Sequence, residues 1–110
     1  MSIPDLDLRA LQSLMKMGGK KQLDAEILLL KQDGAMRLKE WAAAGDLREA
    51  QAAARALKRS AAKLGLAALE DCCDQVLEAE SWPVNAGLVQ AAKKAMQDGL
   101  KAVDLERSQL

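Results

Sequence analysis

The chain contains no histidine, no phenylalanine and no tyrosine, and two tryptophans supply all of its aromatic side chains. Without histidine the commonest general base and the commonest metal ligand are gone, and no phosphohistidine can form. So few aromatics exclude a base-stacking surface for nucleic acid. Neither sign of charge is in excess, since 16 Lys and Arg face 16 Asp and Glu. Nucleic-acid binding through overall charge is therefore not expected. The only cysteines, Cys72 and Cys73, are adjacent. Neighbours on a helix point about 100° apart, which disfavours a disulfide, and two Cys without histidine cannot complete a four-ligand zinc site in one chain. No metal or cofactor is expected. Long hydrophobic runs are missing too: Ile27-Leu28-Leu29-Leu30 is far short of the roughly 20 residues that span a membrane. Met1-Ser2-Ile3-Pro4-Asp5 lacks a basic stretch followed by an apolar one, so no secretory leader is expected and a soluble, cytoplasmic protein is the default.

What remains is a helical alphabet. Ala, Leu, Lys, Glu and Gln dominate, and β-branched residues are scarce. A chain of 110 residues suits one domain, here 1–110, burying roughly 65% of the surface its unfolded form exposes. Pro4 and Pro83 suit first-turn positions of helices. Gly18-Gly19 separates a short amphipathic start (Leu8, Leu11, Leu14) from a long helix whose apolar face carries Leu23, Ile27, Leu30, Gly34, Leu38 and Trp41. Gly45 is expected to stop that helix, Asp46 to cap the next, and Glu49 to complete a capping box. Leu47, Ala50, Ala54, Leu57, Ala61 and Leu64 then alternate spacings of three and four, a seam along one side of a third helix that Gly65 ends. A fourth helix offers Leu69, Cys73, Val76 and Leu77 before Ser81-Trp82-Pro83. A last one buries Leu88, Ala92, Ala95, Gly99 and Ala102 or Val103. Long helices joined by short turns predict an all-α, up-and-down four-helix bundle with a short additional N-terminal helix.

The third helix also carries Arg48, Arg55, Arg59 and Lys63 as one stripe, with Lys58 beside it. The helix after it is acidic, with Glu70, Asp71, Asp74, Glu78 and Glu80. Spacing alone fits a solvated face beside an acidic neighbour. The same bland logic makes Ser60 a small residue at a crowded helix contact, Trp41 and Trp82 packing residues, and at least one of Cys72 and Cys73 a buried apolar side chain. Asp71 and Asp74 beside the thiols are expected to raise their pKa.

The run Ala54-Arg55-Ala56-Leu57-Lys58-Arg59-Ser60-Ala61-Ala62-Lys63-Leu64-Gly65 closely resembles the active helix of the histidine-containing phosphotransfer (HPt) family. There the pattern is Ala-His-x-Leu-Lys-Gly-Ser-Ala followed by an apolar residue and Gly. The likeness continues downstream through Leu69, Cys72 or Cys73 and Leu77-Glu78, and upstream to Gly45-Asp46 and the Leu-rich N-terminal segment, so it covers most of the chain. It implies the same four-helix bundle with a short N-terminal helix. Two positions depart from it. Arg55 stands where the family keeps its phosphoacceptor histidine. Arg59 stands at the small residue, usually Gly, that leaves room for the phosphoimidazole and an incoming receiver domain. A guanidinium, with a pKa above about 12, offers no nucleophilic nitrogen near neutral pH. Lys58 and Ser60 keep the motif; in the family the lysine helps neutralise phosphate and the serine supports the local helix.

The resemblance thus implies a degenerate, phosphotransfer-incompetent member: not an enzyme, but a regulatory binding module. Its expected partner is a response-regulator receiver domain, met through Arg55, Arg59, Lys58, Lys63 and Arg48, because a receiver presents a cluster of carboxylates. The bulk of Arg59 works against the usual approach. The competing expectation is a structural or adaptor bundle joining an unrelated protein, or itself, through Leu28, Leu29 and Met36, which lie outside the narrowest apolar seam.

Overall fold

The Asp7 carboxylate accepts the Arg9 backbone N–H at 3.0 Å and so caps the first helix. In the computed structural model, which describes residues 6–82 and 87–109, α1 runs Leu8–Leu29, a π turn follows at Leu30–Gly34, and α2 runs Ala35–Ala42. Then come α3 (Leu47–Leu64), α4 (Ala67–Leu77) and α5 (Gly87–Gln109). No strand occurs among the described residues; Leu6 and Leu66 form one isolated antiparallel bridge. The protein is all-helical. Pro4 and Pro83, expected in first turns, lie outside the described residues.

The short amphipathic start and the long second helix meet without a loop, at a kink where Gly19 takes φ 68° and ψ −160°. Beyond it the buried seam reads Leu23, Ile27, Leu30, Gly34, Leu38, Trp41. From Leu30 to Leu38 is eight residues, one more than two α-helical turns supply, and the π turn between them absorbs the extra residue. Gly34 in that turn leaves room for α5: a Cβ there would stand 2.8 Å from the Met96 sulfur.

One expectation needs correction. The helix stops at Ala42, not Gly45, and Gly45 does not take the left-handed conformation of a helix-ending glycine. Its job belongs to the next helix. Its N–H donates to Glu49 Oε2 at 2.9 Å while the N-cap Asp46 Oδ1 accepts the Glu49 N–H at 2.8 Å, a capping box shifted so that the return bond comes from the residue before the cap. At the other end Gly65 does turn left-handed, with φ 74°. The Leu66 N–H then reaches Ala61 O at 2.9 Å and the Gly65 N–H reaches Ala62 O at 3.2 Å, closing the paired bonds of a Schellman motif.

The central helix is α3, which packs on α1, α2 and α4; α5 closes the arrangement against α4 and α2. Ala50, Ala54, Leu57, Ala61 and Leu64 are buried as the spacing predicts, and Ala53 joins them. Each fully buried leucine, such as Leu57 or Leu64, stabilises the fold by about 2 kcal/mol relative to exposure. In α5 both Ala102 and Val103 are buried, with Met96 added to the expected seam. Cys72 and Cys73 are both buried and unbridged, and Trp41 is buried. Trp82, past the end of α4, is exposed.

Candidate functional site: the outer face of α3

Helical geometry separates the basic residues of α3 into two groups. Arg48, Arg55 and Arg59 fall within about 40° of one another on a wheel of 3.6 residues per turn, opposite the buried seam. All three are exposed, and none forms an ion pair with a described residue. Lys58 and Lys63 lie on the flanks, where neighbours neutralise them. Lys58 Nζ meets Asp74 Oδ1 of α4 at 2.5 Å, and Lys63 Nζ lies 3.7 Å from Glu26 Oε1 of α1. The stripe of Arg48, Arg55, Arg59 and Lys63, with Lys58 beside it, therefore resolves into three arginines on the crest without ion pairs and two lysines at its sides that each face a carboxylate.

The electrostatics follow the geometry. The hydrogen bond that Lys58 donates to Asp74, opposed by some desolvation, holds Lys58 above the ordinary lysine value. Burial raises the Glu70 carboxyl, although Lys58 pulls it the other way. Burial is also the main cause at both thiols. It raises Cys72, helped by Asp71, and pushes Cys73 up to about 12, helped by Cys72 and Asp74. Neither thiol is activated as a nucleophile. Ser60 is half-buried on the side of α3 away from Lys58.

One contact beside the site has no sequence signal. The Gln51 side-chain amide, one turn before Arg55, donates toward the carbonyl oxygens of Val76 (3.3 Å), Leu77 (3.4 Å) and Ala79 (3.5 Å). It caps the end of α4 from α3, occupying carbonyls that a helix C-terminus leaves open. Together Gln51 and the Lys58–Asp74 pair fix the level of α4 against the arginine crest.

The crest is convex. The two larger clefts lie elsewhere, about 370 Å³ beside Arg37, Glu40 and Glu49, and about 380 Å³ between α2 and α5 beside Leu38, Lys39 and Lys93. Neither includes Arg55 or Arg59. No group of three or more Cys, Asp or Glu side chains arranged to hold a metal ion occurs among the described residues, and no described helix is long and apolar enough to cross a membrane. Arg55 and Arg59 can recognise carboxylates or phosphates with bidentate hydrogen bonds. Comparison with family models, curated proteins and solved structures finds no match to this chain.

Proposed function

We propose that this chain is a phosphotransfer-like helical bundle that has lost its acceptor and docks a receiver domain through α3 without relaying phosphate. The observation that carries this reading is the pair Arg55 and Arg59, exposed one turn apart and free of ion pairs, while the neighbouring Lys58 and Lys63 are neutralised. The motif that resembles the HPt active helix lies wholly within α3 and its glycine stop, and Arg55 occupies its acceptor position. Two guanidinium groups directed at a receiver's carboxylate cluster would speed encounter and fix orientation. A helix crest outside both clefts suits a protein partner better than a small molecule.

The test is binding of receiver domains from the same genome to the purified chain, by calorimetry at low and high salt. A cognate receiver should bind in a salt-sensitive way, and R55E/R59E should weaken it more than tenfold, beyond what one exposed ion pair supplies. Unchanged affinity and salt dependence in that variant would show that the crest is not the interface.

A second reading, an adaptor that joins an unrelated protein through an apolar face, is favoured by a separate observation. Leu28, Leu29 and Met36 are 55%, 45% and 49% exposed. Because the π turn absorbs one residue, Met36 falls two turns beyond Leu28 on the same side of the rod. On that reading L28S/M36S abolishes partner capture and R55E/R59E leaves it intact.

A further inference from the structure

The zero net charge hides a segregation that the α3–α4 hairpin makes visible. The outer crest of α3 is basic, with Arg55 and Arg59, and the outer side of α4 and of the residue that ends it is acidic, with Asp71 and Glu78. All four side chains are exposed, and no ion pair joins the two rows within the chain. The one pair that does cross the groove, Lys58–Asp74, sets the relative level of the helices. With a rise of 1.5 Å per residue and antiparallel helices, Arg59 lies within about 3 Å of the level of Asp71, and Arg55 within about 2 Å of the level of Glu78.

Two-fold symmetry turns this match into an interface. Rotating a second copy by 180° about an axis parallel to the two helices, in the plane of contact, lays its α3 over the first copy's α4 and the reverse. The levels along the axis are unchanged by that operation. Each Arg59 then faces the other copy's Asp71 and each Arg55 faces its Glu78, so four complementary pairs form at once.

We propose that the chain self-associates through this α3–α4 face as an isologous, salt-sensitive homodimer. The occupant is a second copy because a single surface presents both the basic row and its acidic complement, in register. The contact is between two helix pairs and largely charged, so the dimer is weak and forms at high local concentration. Its regulatory consequence, that the dimer hides Arg55 and Arg59 from a receiver, rests on the proposed function above. Self-association itself does not.

The experiment is sedimentation equilibrium on the full chain, wild type and two charge-reversed variants, R55E/R59E and D71K/E78K, each checked for helicity by circular dichroism. Wild type should dimerise at about 25 mM NaCl, with a dissociation constant at least tenfold weaker at about 500 mM. Each variant carries one sign on both rows, so each alone should be monomeric. Mixed together they should form a heterodimer at least as tight as the wild-type dimer, because every facing pair is again complementary and the two chains carry opposite net charge. A monomeric wild type at low salt overturns the proposal, as does a folded variant that still dimerises or a mixture that stays monomeric. If a reversed variant loses helicity, R55A/R59A and D71A/E78A replace the pair, each expected to weaken dimerisation at least tenfold, with unchanged association overturning the proposal. Receiver binding by D71K/E78K separates the two ideas. That variant should keep or gain receiver affinity while losing self-association, whereas failure of the docking proposal leaves the sedimentation results untouched.

Discussion

Lys58 and Asp74 meet at 2.5 Å across the groove between α3 and α4, with about a third of each side chain still open to solvent. The contact neutralises the one motif lysine that the HPt resemblance assigns to phosphate. Removing Asp74 should therefore return a positive charge to the arginine crest. Asp74→Asn is expected to keep the fold, lower the thermal midpoint slightly, and raise the association rate with an acidic receiver at low salt. Stopped-flow association across a salt series checks this, and the gain should vanish at high salt.

A side chain at Gly65 would meet neighbouring backbone directly. Its φ of 74° disfavours any side chain, and an added Cβ would stand 2.3 Å from the Asp7 carbonyl oxygen. That carbonyl belongs to the residue whose N–H donates to Gly65 O at 2.7 Å, so the clash would fall on the tie between the N-terminal segment and the α3–α4 turn. Gly65→Ala should cost about 2 kcal/mol or more, measured by urea denaturation. Gly19→Ala has open space around it, but φ 68° with ψ −160° is a backbone conformation essentially confined to glycine, so it too should cost about 1–3 kcal/mol, through backbone strain alone.

The Cys73 thiol is pushed up from near 9 to about 12, chiefly by burial. A raised folded value means that its contribution to stability is intact below pH 9 and is lost as pH rises toward 12. Deprotonation of Lys58, itself held above the usual lysine value of 10.5, adds to the loss only at the upper, more alkaline end of that range and beyond. Cys73→Ala should lower stability at neutral pH through its cavity and flatten part of the alkaline decline. A disulfide-exchange reagent at pH 8 should leave Cys73 unmodified until the protein is unfolded.

Glu70 gives the opposite opportunity. Its carboxyl is raised by burial, so ionising it at neutral pH opposes folding. Glu70→Gln should raise the melting temperature at pH 7, an advantage that disappears as pH falls below the carboxyl's folded value. Melting curves at both pH values decide it.

On the proposed function, completing the motif should supply the chemistry that Arg55 and Arg59 withhold. Arg55→His with Arg59→Gly places an imidazole at an exposed mid-helix position beside Lys58. The double variant should gain an acid-labile phosphoryl group from phosphoramidate or a phosphorylated receiver, detected by mass spectrometry. Arg55→His alone should accept it more slowly because the Arg59 side chain crowds the approach.

Much of the architecture was legible before any coordinates. The seam of α3 from Ala50 to Leu64 is local periodicity, and Asp46, Glu49 and Gly65 are local capping signals whose partners lie within five residues. Leu66 was not legible. It follows a helix-ending glycine outside any periodic seam, yet it is 1% exposed: its backbone bridges Leu6, sixty residues away, and its side chain packs over Gly99 of α5. Gly45 misled for a related reason: glycine after a helix is a common stop, but here the Glu49 side chain of the next helix claimed its N–H. The extra residue between Leu30 and Leu38 was present in the spacing, but only the packed rod reveals that a π turn takes it up.

The opening absences and the α3 pattern are properties of the sequence alone. No histidine can accept a phosphoryl group in this chain, and Arg55 lies on the polar side of an amphipathic helix, because composition and local periodicity need no tertiary context. Which cations are free was decided only by tertiary structure. Arg55, Arg59, Lys58 and Lys63 look equivalent along the chain, and a charge is neutralised by whatever lies within a few ångströms in space. Packing brought Asp74 to Lys58 and Glu26 to Lys63, left the two arginines open, and set an acidic row on α4 level with them.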